Sequence, residues 1–316
     1  MKKVIQKVGN YDMDFSLLEK RLTQPIPSFN EELEKIQLPD GRNLFFQDNG
    51  GDVLAVAHLD ATMNPVEPCF LVPDKGYFSG HSIVCSTTVD DRLGVFTILD
   101  ILPKAFERQG LPKVDVLLTE DEEIMQSTAA YFNGKKEGRY NWMFQFDRGG
   151  TDVVHYQYRE FEWLKNLQRV FGQVSHGIGS DICFLEHLDC MGVNIGTAYY
   201  DYTSPHAFAS LTELSEMIDR FVDFYTIFHK RGFFRPAGQI SNSHHTRSAY
   251  YRAARQGIAY SAAYGWRYLS NRSYFYSSNS RRNKENRANA NNWFSQAKRS
   301  GKPANNKRER RVRDKV

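Results

Sequence analysis

Apolar residues fall along the middle of this chain in short unbroken runs and in helical stripes that alternate with one another. Val53–Ala57 is apolar at every position and ends at His58. Such a run predicts a strand covered on both faces. KVDVLLTEDEE (113–123), ending in acids, NWMFQFDRGG (141–150), ending in Asp147, and MGVNIGTAYY (191–200) read as further strands. Between these runs, LGVFTILDILPKAF (93–106) has the period of a buried helix, and SDICFLEHL (180–188) also reads as helix. Residues 211–230 predict a long amphipathic helix with Leu211, Leu214, Met217, Ile218, Phe221 and Phe224 on one face. Nearer the start, DFSLLEKRL (14–22) predicts a short helix capped by Asp14 or Ser16, and Pro27 and Ser28 open a second helical stretch. GRNLFFQ (41–47) and Val53–Ala57, joined through Asn49-Gly50-Gly51, predict a hairpin. The alternation as a whole predicts a three-layer α/β fold: a mainly parallel, twisted sheet with helices on both faces. Ligands of such sheets bind at the C-terminal ends of the strands.

From about residue 235 the pattern dissolves into Arg, Lys, Asn and Ser with few apolar side chains, a composition that does not order itself alone. The expected division is a folded body, 1–232, and a basic Arg/Asn/Tyr-rich, largely disordered tail, 233–316. A helix is expected near 245–268, where Tyr250, Tyr251, Tyr260 and Tyr264 stand among arginines. The formal net charge of +4 hides this asymmetry. Residues 231–316 hold about 20 of the 41 Lys/Arg but about 3 of the 37 Asp/Glu, so an acidic body carries a basic tail. Arginines interleaved with aromatic rings suit a nucleic-acid backbone and its bases. They equally suit an acidic protein partner, including the body of this chain. No apolar run reaches the ~18 residues of a membrane helix, and the N-terminus lacks the apolar core of a signal peptide, so the expected location is cytoplasmic. Cys69, Cys85, Cys183 and Cys190 form no CxxC pair, which argues against a thiolate metal site and for reduced thiols.

Four polar clusters stand at or just beyond the strand ends: His58-Leu59-Asp60, Asp90-Asp91 ahead of a helix, Glu122-Glu123, and Asp147. Singly, each reads as solvated surface. Together at one sheet edge they would cost several kcal/mol per buried ion without a cation. Oxygen and imidazole donors in this combination suit zinc.

The segments HLD, DDRLGV, TEDEE, FDRGGTD, GSDICFL and VNIGTAYYDYTSP, in this order, resemble the co-catalytic dizinc exopeptidases, a superfamily that includes the family-28 aminopeptidases and the family-20 and family-42 metallopeptidases. His58 and Asp90 are 32 residues apart, and Asp147 stands fewer than 60 residues before the end of YYDYTSP. The first interval is too short for the additional domain of family 42 and the second for the lid of family 20, so the body resembles the single-domain family-28 type. The resemblance implies a zinc exopeptidase fold of the phosphorylase/hydrolase kind and two zinc ions. It implies that His58 and Asp147 bind one ion, Asp90 bridges both and Glu123 binds the second. Asp60 would orient His58, and Glu122 would act as general base on a metal-bridging water, for an aminopeptidase-like cleavage of a peptide or related amide.

The last family motif departs from its pattern. Thr203 stands at the position of the family's second-zinc histidine and Ala207 at that of its glutamate, while a histidine occurs at His206. Either His206 reaches the metal through a small loop shift, or the second site is incomplete and the chain binds one ion or none. Arg148 is open in a similar way, between a structural ion pair and a contact to a cleft acid or substrate carboxylate. Two functions are compatible with these residues: a metal-dependent hydrolase, or a binding scaffold on a decayed peptidase body whose tail contacts nucleic acid or acidic partners.

Overall fold

The structure is a computed structural model that describes residues 4–72, 81–135, 137–177 and 179–235. The tail from 236 onward, with the helix expected near 245–268, lies outside the described residues.

The chain opens with a hairpin of β1 (Ile5–Val8) and β2 (Tyr11–Asp14). Helix α1 (Phe15–Thr23) comes next, with the Asp14 side chain accepting from the Ser16 and Leu17 amides as its cap. The stretch after Pro25 forms only a 3-10 turn, Ile26–Glu31, and then turns into strand β3 (Glu34–Gln37) rather than continuing as helix. Strands β4 (Asn43–Gln47), β5 (Val53–His58), β6 (Cys69–Leu71) and β7 (Ile83–Cys85) precede helix α2 (Val89–Phe96). A wider turn at Thr97–Ile101 joins α2 to α3 (Leu102–Gln109). After these come β8 (Asp115–Thr119), β9 (Trp142–Arg148), β10 (Val153–Val154), α4 (Phe161–Phe171) and β11 (Met191–Gly196). The last elements are β12 (Tyr199–Tyr200), β13 (Phe208–Ser210) and α5 (Leu211–Phe228).

Seven strands form one mixed sheet in the order β10-β11-β9-β5-β8-β4-β3. The four central strands, β11, β9, β5 and β8, are parallel, and the outer strands run antiparallel to their neighbours. Every residue of β5, β8 and β11 is buried, as strands covered on both faces must be. The expected hairpin of β4 and β5 does not form, because β8 lies between them. The Asn49–Gly51 turn is instead tied to β8: the buried Asp115 carboxylate accepts from the Asn49 amide at 2.9 Å and the Gly51 amide at 2.8 Å. A Cβ on Gly51 would meet the backbone of residues 113–115 at 2.7 Å, so this turn needs glycine for its close approach to β8. A second, four-stranded antiparallel sheet, β12-β13-β7-β6, was not legible as a unit in the sequence.

On one face of β9, Trp142, Phe144 and Phe146 pack into α5, with Phe144 and Phe221 at 4.3 Å between ring centroids and Trp142 and Phe224 at 5.3 Å. α3 joins the same layer through Phe106 stacked on Tyr225 at 4.3 Å, and α4 through Trp163 against Phe224 at 5.7 Å. Side chains alternate along a strand, so Gln145 and Asp147 turn the opposite way. No described helix is long and apolar enough to cross a membrane.

Candidate metal centre

His58 closes β5. The register of β5 with β9, Val53 opposite Trp142 through Val56 opposite Gln145, extends to bring His58 level with Asp147. The imidazole is fully buried. Its Nδ1 lies 3.0 Å from the Asp60 carbonyl, which accepts if that nitrogen carries the proton. That tautomer leaves the Nε2 lone pair facing three carboxylates: Asp90 Oδ1 at 3.3 Å, Asp147 Oδ1 at 3.5 Å and Glu122 Oε2 at 3.8 Å.

Asp60 also organises the loop after β8. Its two carboxylate oxygens accept the backbone amides of Glu122, at 3.2 Å, and Glu123, at 3.0 Å. The spacing of the HLD motif thus fixes both the histidine and the acid pair. Burial pushes the Asp60 carboxyl up, but His58 and the two amides hold it below the usual carboxylate range.

Asp90 and Asp91 stand at the start of α2. Asp90 is 7% exposed and Asp91 fully buried, with Asp91 Oδ2 accepting the His58 backbone amide at 3.3 Å. Gly94 makes room for this packing. A Cβ there would come within 2.1 Å of both Asp91 Oδ1 and the Phe146 carbonyl. Asp147 is held by β11: its amide donates to Asn194 Oδ1 at 2.9 Å, and its Oδ2 lies 3.3 Å from Asn194 Nδ2. Tyr199 donates its hydroxyl to the Asp147 carbonyl at 3.1 Å.

Two sets of ligand atoms converge within 4.8 Å: His58, Asp91 and Asp147, and His58, Asp90 and Glu123. His58 belongs to both. Every metal-binding residue expected from the sequence except His206 therefore enters a set, and Glu122 and Asp60 flank them. Asp91, which had no separate role in the sequence reading, is the addition.

The chemistry of this donor set fits divalent cations. His58 Nε2, Asp91 Oδ1 and Glu123 Oε1 are buried without a hydrogen-bond partner, a state that costs about 1–3 kcal/mol per neutral group and more for a charged one. Burial pushes the carboxyl groups of Asp147 up to about 7 and Glu123 up to about 8. Burial likewise carries Glu122 and Asp91 well above the usual carboxylate range. Burial alone would lower His58, yet the Asp147, Asp60 and Asp90 carboxylates raise it well above its ordinary value. Closely packed acids that resist ionising and an imidazole drawn toward protonation describe one excess of negative charge, which bound cations would offset.

Asp181 is also fully buried beside the centre, but its oxygens are already served. Thr119 donates at 2.9 Å, Gln145 Nε2 at 2.9 Å, and the Ser127 hydroxyl makes a short third contact. Sequence alone could not separate it from the ligands, since an acid with three donors and an acid without look identical in a string of letters.

His206 is exposed and belongs to neither set; its backbone amide donates to Ser204 Oγ at 3.0 Å. Thr203 is exposed as well.

No family model matches this chain, and no curated protein matches it in sequence. Solved structures do match. A tripeptidase from Staphylococcus aureus aligns with a TM-score of 0.50 at 9% identity, over 69% of this chain and 98% of its own. A TET aminopeptidase from a marine sediment Thaumarchaeota archaeon aligns at 0.45 and 12% identity, over 66% of this chain and 94% of its own. An aminopeptidase from Desulfurococcus kamchatkensis aligns at 0.40 and 13% identity, over 66% and 93%. The first of these shows the shared α/β fold; the other two are weaker alignments.

Proposed function

We propose that this protein is a metal-dependent hydrolase of peptide or related amide bonds, acting as an exopeptidase of the aminopeptidase kind with zinc as the ion. The observation that carries the reading is the convergence of His58, Asp90, Asp91, Glu123 and Asp147, with three buried donor atoms left unpartnered. The fold shared with a staphylococcal tripeptidase agrees with it.

Two candidate ligand sets would hold divalent ions, His58, Asp91 and Asp147 in one and His58, Asp90 and Glu123 in the other. Bound there, divalent ions supply Lewis-acid polarisation of the scissile carbonyl and the positive charge that the carboxylates lack. The remaining chemistry belongs to the chain. Glu122 stands beside the cluster, 3.8 Å from His58 Nε2, and among the described residues no hydrogen bond ties up its carboxylate. Its burial favours uptake of a proton. It would accept a proton from the attacking water and deliver it to the departing amine. Asp60 holds both the imidazole and the Glu122 backbone, so proton acceptor and ligand keep a fixed separation.

The test is metal analysis of purified protein together with hydrolysis of aminoacyl and dipeptide substrates, with and without chelator. Zinc in stoichiometric amount and chelator-sensitive cleavage are expected. No metal above trace and no chelator-sensitive activity would overturn the reading.

A second reading rests on Thr203 and on the exposed His206. The second ion then lacks its usual histidine, and the body serves as a scaffold whose basic tail, 233–316, contacts nucleic acid or an acidic protein. It expects truncation near residue 235 to abolish binding to such a partner at low salt while the body stays folded. Equal binding by the truncated protein would remove it.

A further inference from the structure

The end of β9 carries a feature that the metal centre does not use. β11 pairs Asn194 with Gln145 and Ile195 with Phe146, and then Gly196 with Arg148. Asp147 is skipped, which makes it the extra residue of a β-bulge. The backbone groups freed by the bulge are taken up by side chains, the amide by Asn194 Oδ1 and the carbonyl by the Tyr199 hydroxyl. The bulge also redirects the next side chain. Asn194 and Gly196 share one face of β11, and laterally paired residues share a face. Without the bulge, alternation would send Arg148 with Phe146 toward α5. With it, Arg148 opposite Gly196 comes to the face of Gln145 and Asn194, the face of the metal centre.

Arg148 is partly buried there, and its carbonyl is fixed by the Thr197 amide at 2.8 Å. Its Nε is buried without a hydrogen-bond partner, and among the described residues its guanidinium enters no ion pair. After burial itself, the groups that act on its charge are Tyr156, Tyr199, Asp152 and Tyr202, so three of the four are phenols. The structural ion pair considered from the sequence is therefore absent among the described residues. A guanidinium half out of water, whose anionic neighbour Asp152 is exposed and makes no ion pair with it, is costly, and its planar fork matches a carboxylate in a bidentate fashion.

We propose that Arg148 receives a carboxylate of the substrate, and that the site therefore takes short peptides carrying a carboxylate close to the scissile bond. The inference rests on the reading of this site as an amide hydrolase. The carboxylate comes from either a free peptide C-terminus or an acidic side chain, and the same guanidinium serves both.

The experiment compares Leu-Ala, Leu-Ala amide and Leu-Glu amide on the zinc-supplemented full-length protein and on Arg148→Gln and Arg148→Lys. For wild type, KM for Leu-Ala amide is expected about 10- to 100-fold above that for Leu-Ala, the loss of a charge-assisted hydrogen bond. A KM lower for Leu-Ala than for Leu-Ala amide assigns the role to the terminus, a KM lowered only for Leu-Glu amide assigns it to an acidic side chain, and both lowered shows that the guanidinium takes either carboxylate. Arg148→Gln is expected to bring the acid-to-amide ratio of KM close to one, with Arg148→Lys between the two. Equal KM values for all three substrates on wild type overturn the proposal without recourse to any variant. So does an Arg148→Gln protein that keeps the wild-type ratio. If nothing is cleaved, the hydrolase reading fails by itself, and calorimetric titration of Leu-Ala and its amide decides on Arg148. Binding of the acid alone, lost in Arg148→Gln, sustains the proposal; equal binding or none overturns it.

Discussion

At the scale of single residues, the centre is a competition between burial and charge that Asp60 and Asn194 hold in place. Among the described residues Glu122 accepts no hydrogen bond that would spend its basicity, so Glu122→Gln keeps the shape and removes the proposed proton acceptor. The expected result is a loss of about 10²- to 10⁴-fold in kcat with metal content unchanged, read by steady-state kinetics and metal analysis. His206→Ala is expected to leave the metal stoichiometry as in wild type, because His206 is exposed and outside both ligand sets. Loss of one equivalent would instead make His206 a ligand. Gly94→Ala places a methyl 2.1 Å from Asp91 Oδ1 and the Phe146 carbonyl, and the carbonyl belongs to the β9 backbone and cannot retreat by a side-chain rotation. It is expected to destabilise by about 1–3 kcal/mol or more and to weaken metal retention, measured by urea denaturation and by equilibrium dialysis. His58, Asp60, Asp90, Glu122, Glu123 and Asp147 were legible because each stands after an apolar run or opens a helix. The distinctness of Asp91 from Asp90, the service of Asp181 by three donors and the bracing of Asp147 by Asn194 were not, because each depends on contacts between segments far apart in sequence.

Elements carry the site through register. The alternation of β9 divides it into an aromatic face on α5 and a polar face on the centre, and the bulge at Asp147 turns Arg148 onto the polar side. Phe221 packs against Phe144, Phe146, Trp142 and Phe106, so it anchors α5 to both β9 and α3. Phe221→Ala is expected to cost about 3–5 kcal/mol, seen as a lower urea midpoint, while the centre on the other face keeps its ligands. The α5 stripe is readable from its period alone. The hairpin of β4 and β5 is not, because a Gly-rich turn between two strands signals a reversal of the chain and not whether a third strand enters between them. The stretch after Pro25 departs from the expected helix because Glu34–Gln37 pairs with β4, and tertiary pairing outweighs a weak local preference.

For the whole molecule, the buried cluster of acids around His58 makes stability depend on pH. Unfolded, carboxyls titrate near 4, whereas folded and metal-free Asp147 holds its proton to about 7 and Glu123 to about 8. The native state therefore binds more protons than the unfolded state between these values, and the stability of metal-free protein is expected to fall as pH rises from about 4 to about 8. His58, raised above its ordinary value, adds in the same direction: its contribution is complete below about 6.5 and is lost as pH rises through its folded value. A divalent cation bound here, zinc in the proposed reading, would take the place of the protons, so the slope is expected to flatten in loaded protein. Saturation at a hundred times Kd is expected to add about 2.7 kcal/mol, and a chelator to remove it. Denaturation midpoints measured across pH 5 to 8.5, with and without zinc, read both effects; parallel curves for the two forms would count against a cation at this site.

The sequence by itself determined the alternation of strands and helices, the placement of acids and one histidine at strand ends, and the charge asymmetry between residues 1–230 and 231–316. These arise from local periodicity and composition, which neighbouring residues set together. Only the tertiary structure decided the order of strands, the second sheet, the pairing of Asp91 with His58 and the bulge that turns Arg148. Each of these depends on which distant segments lie side by side, a choice made by the total burial of the core and by the satisfaction of buried polar groups rather than by any single stretch of the chain.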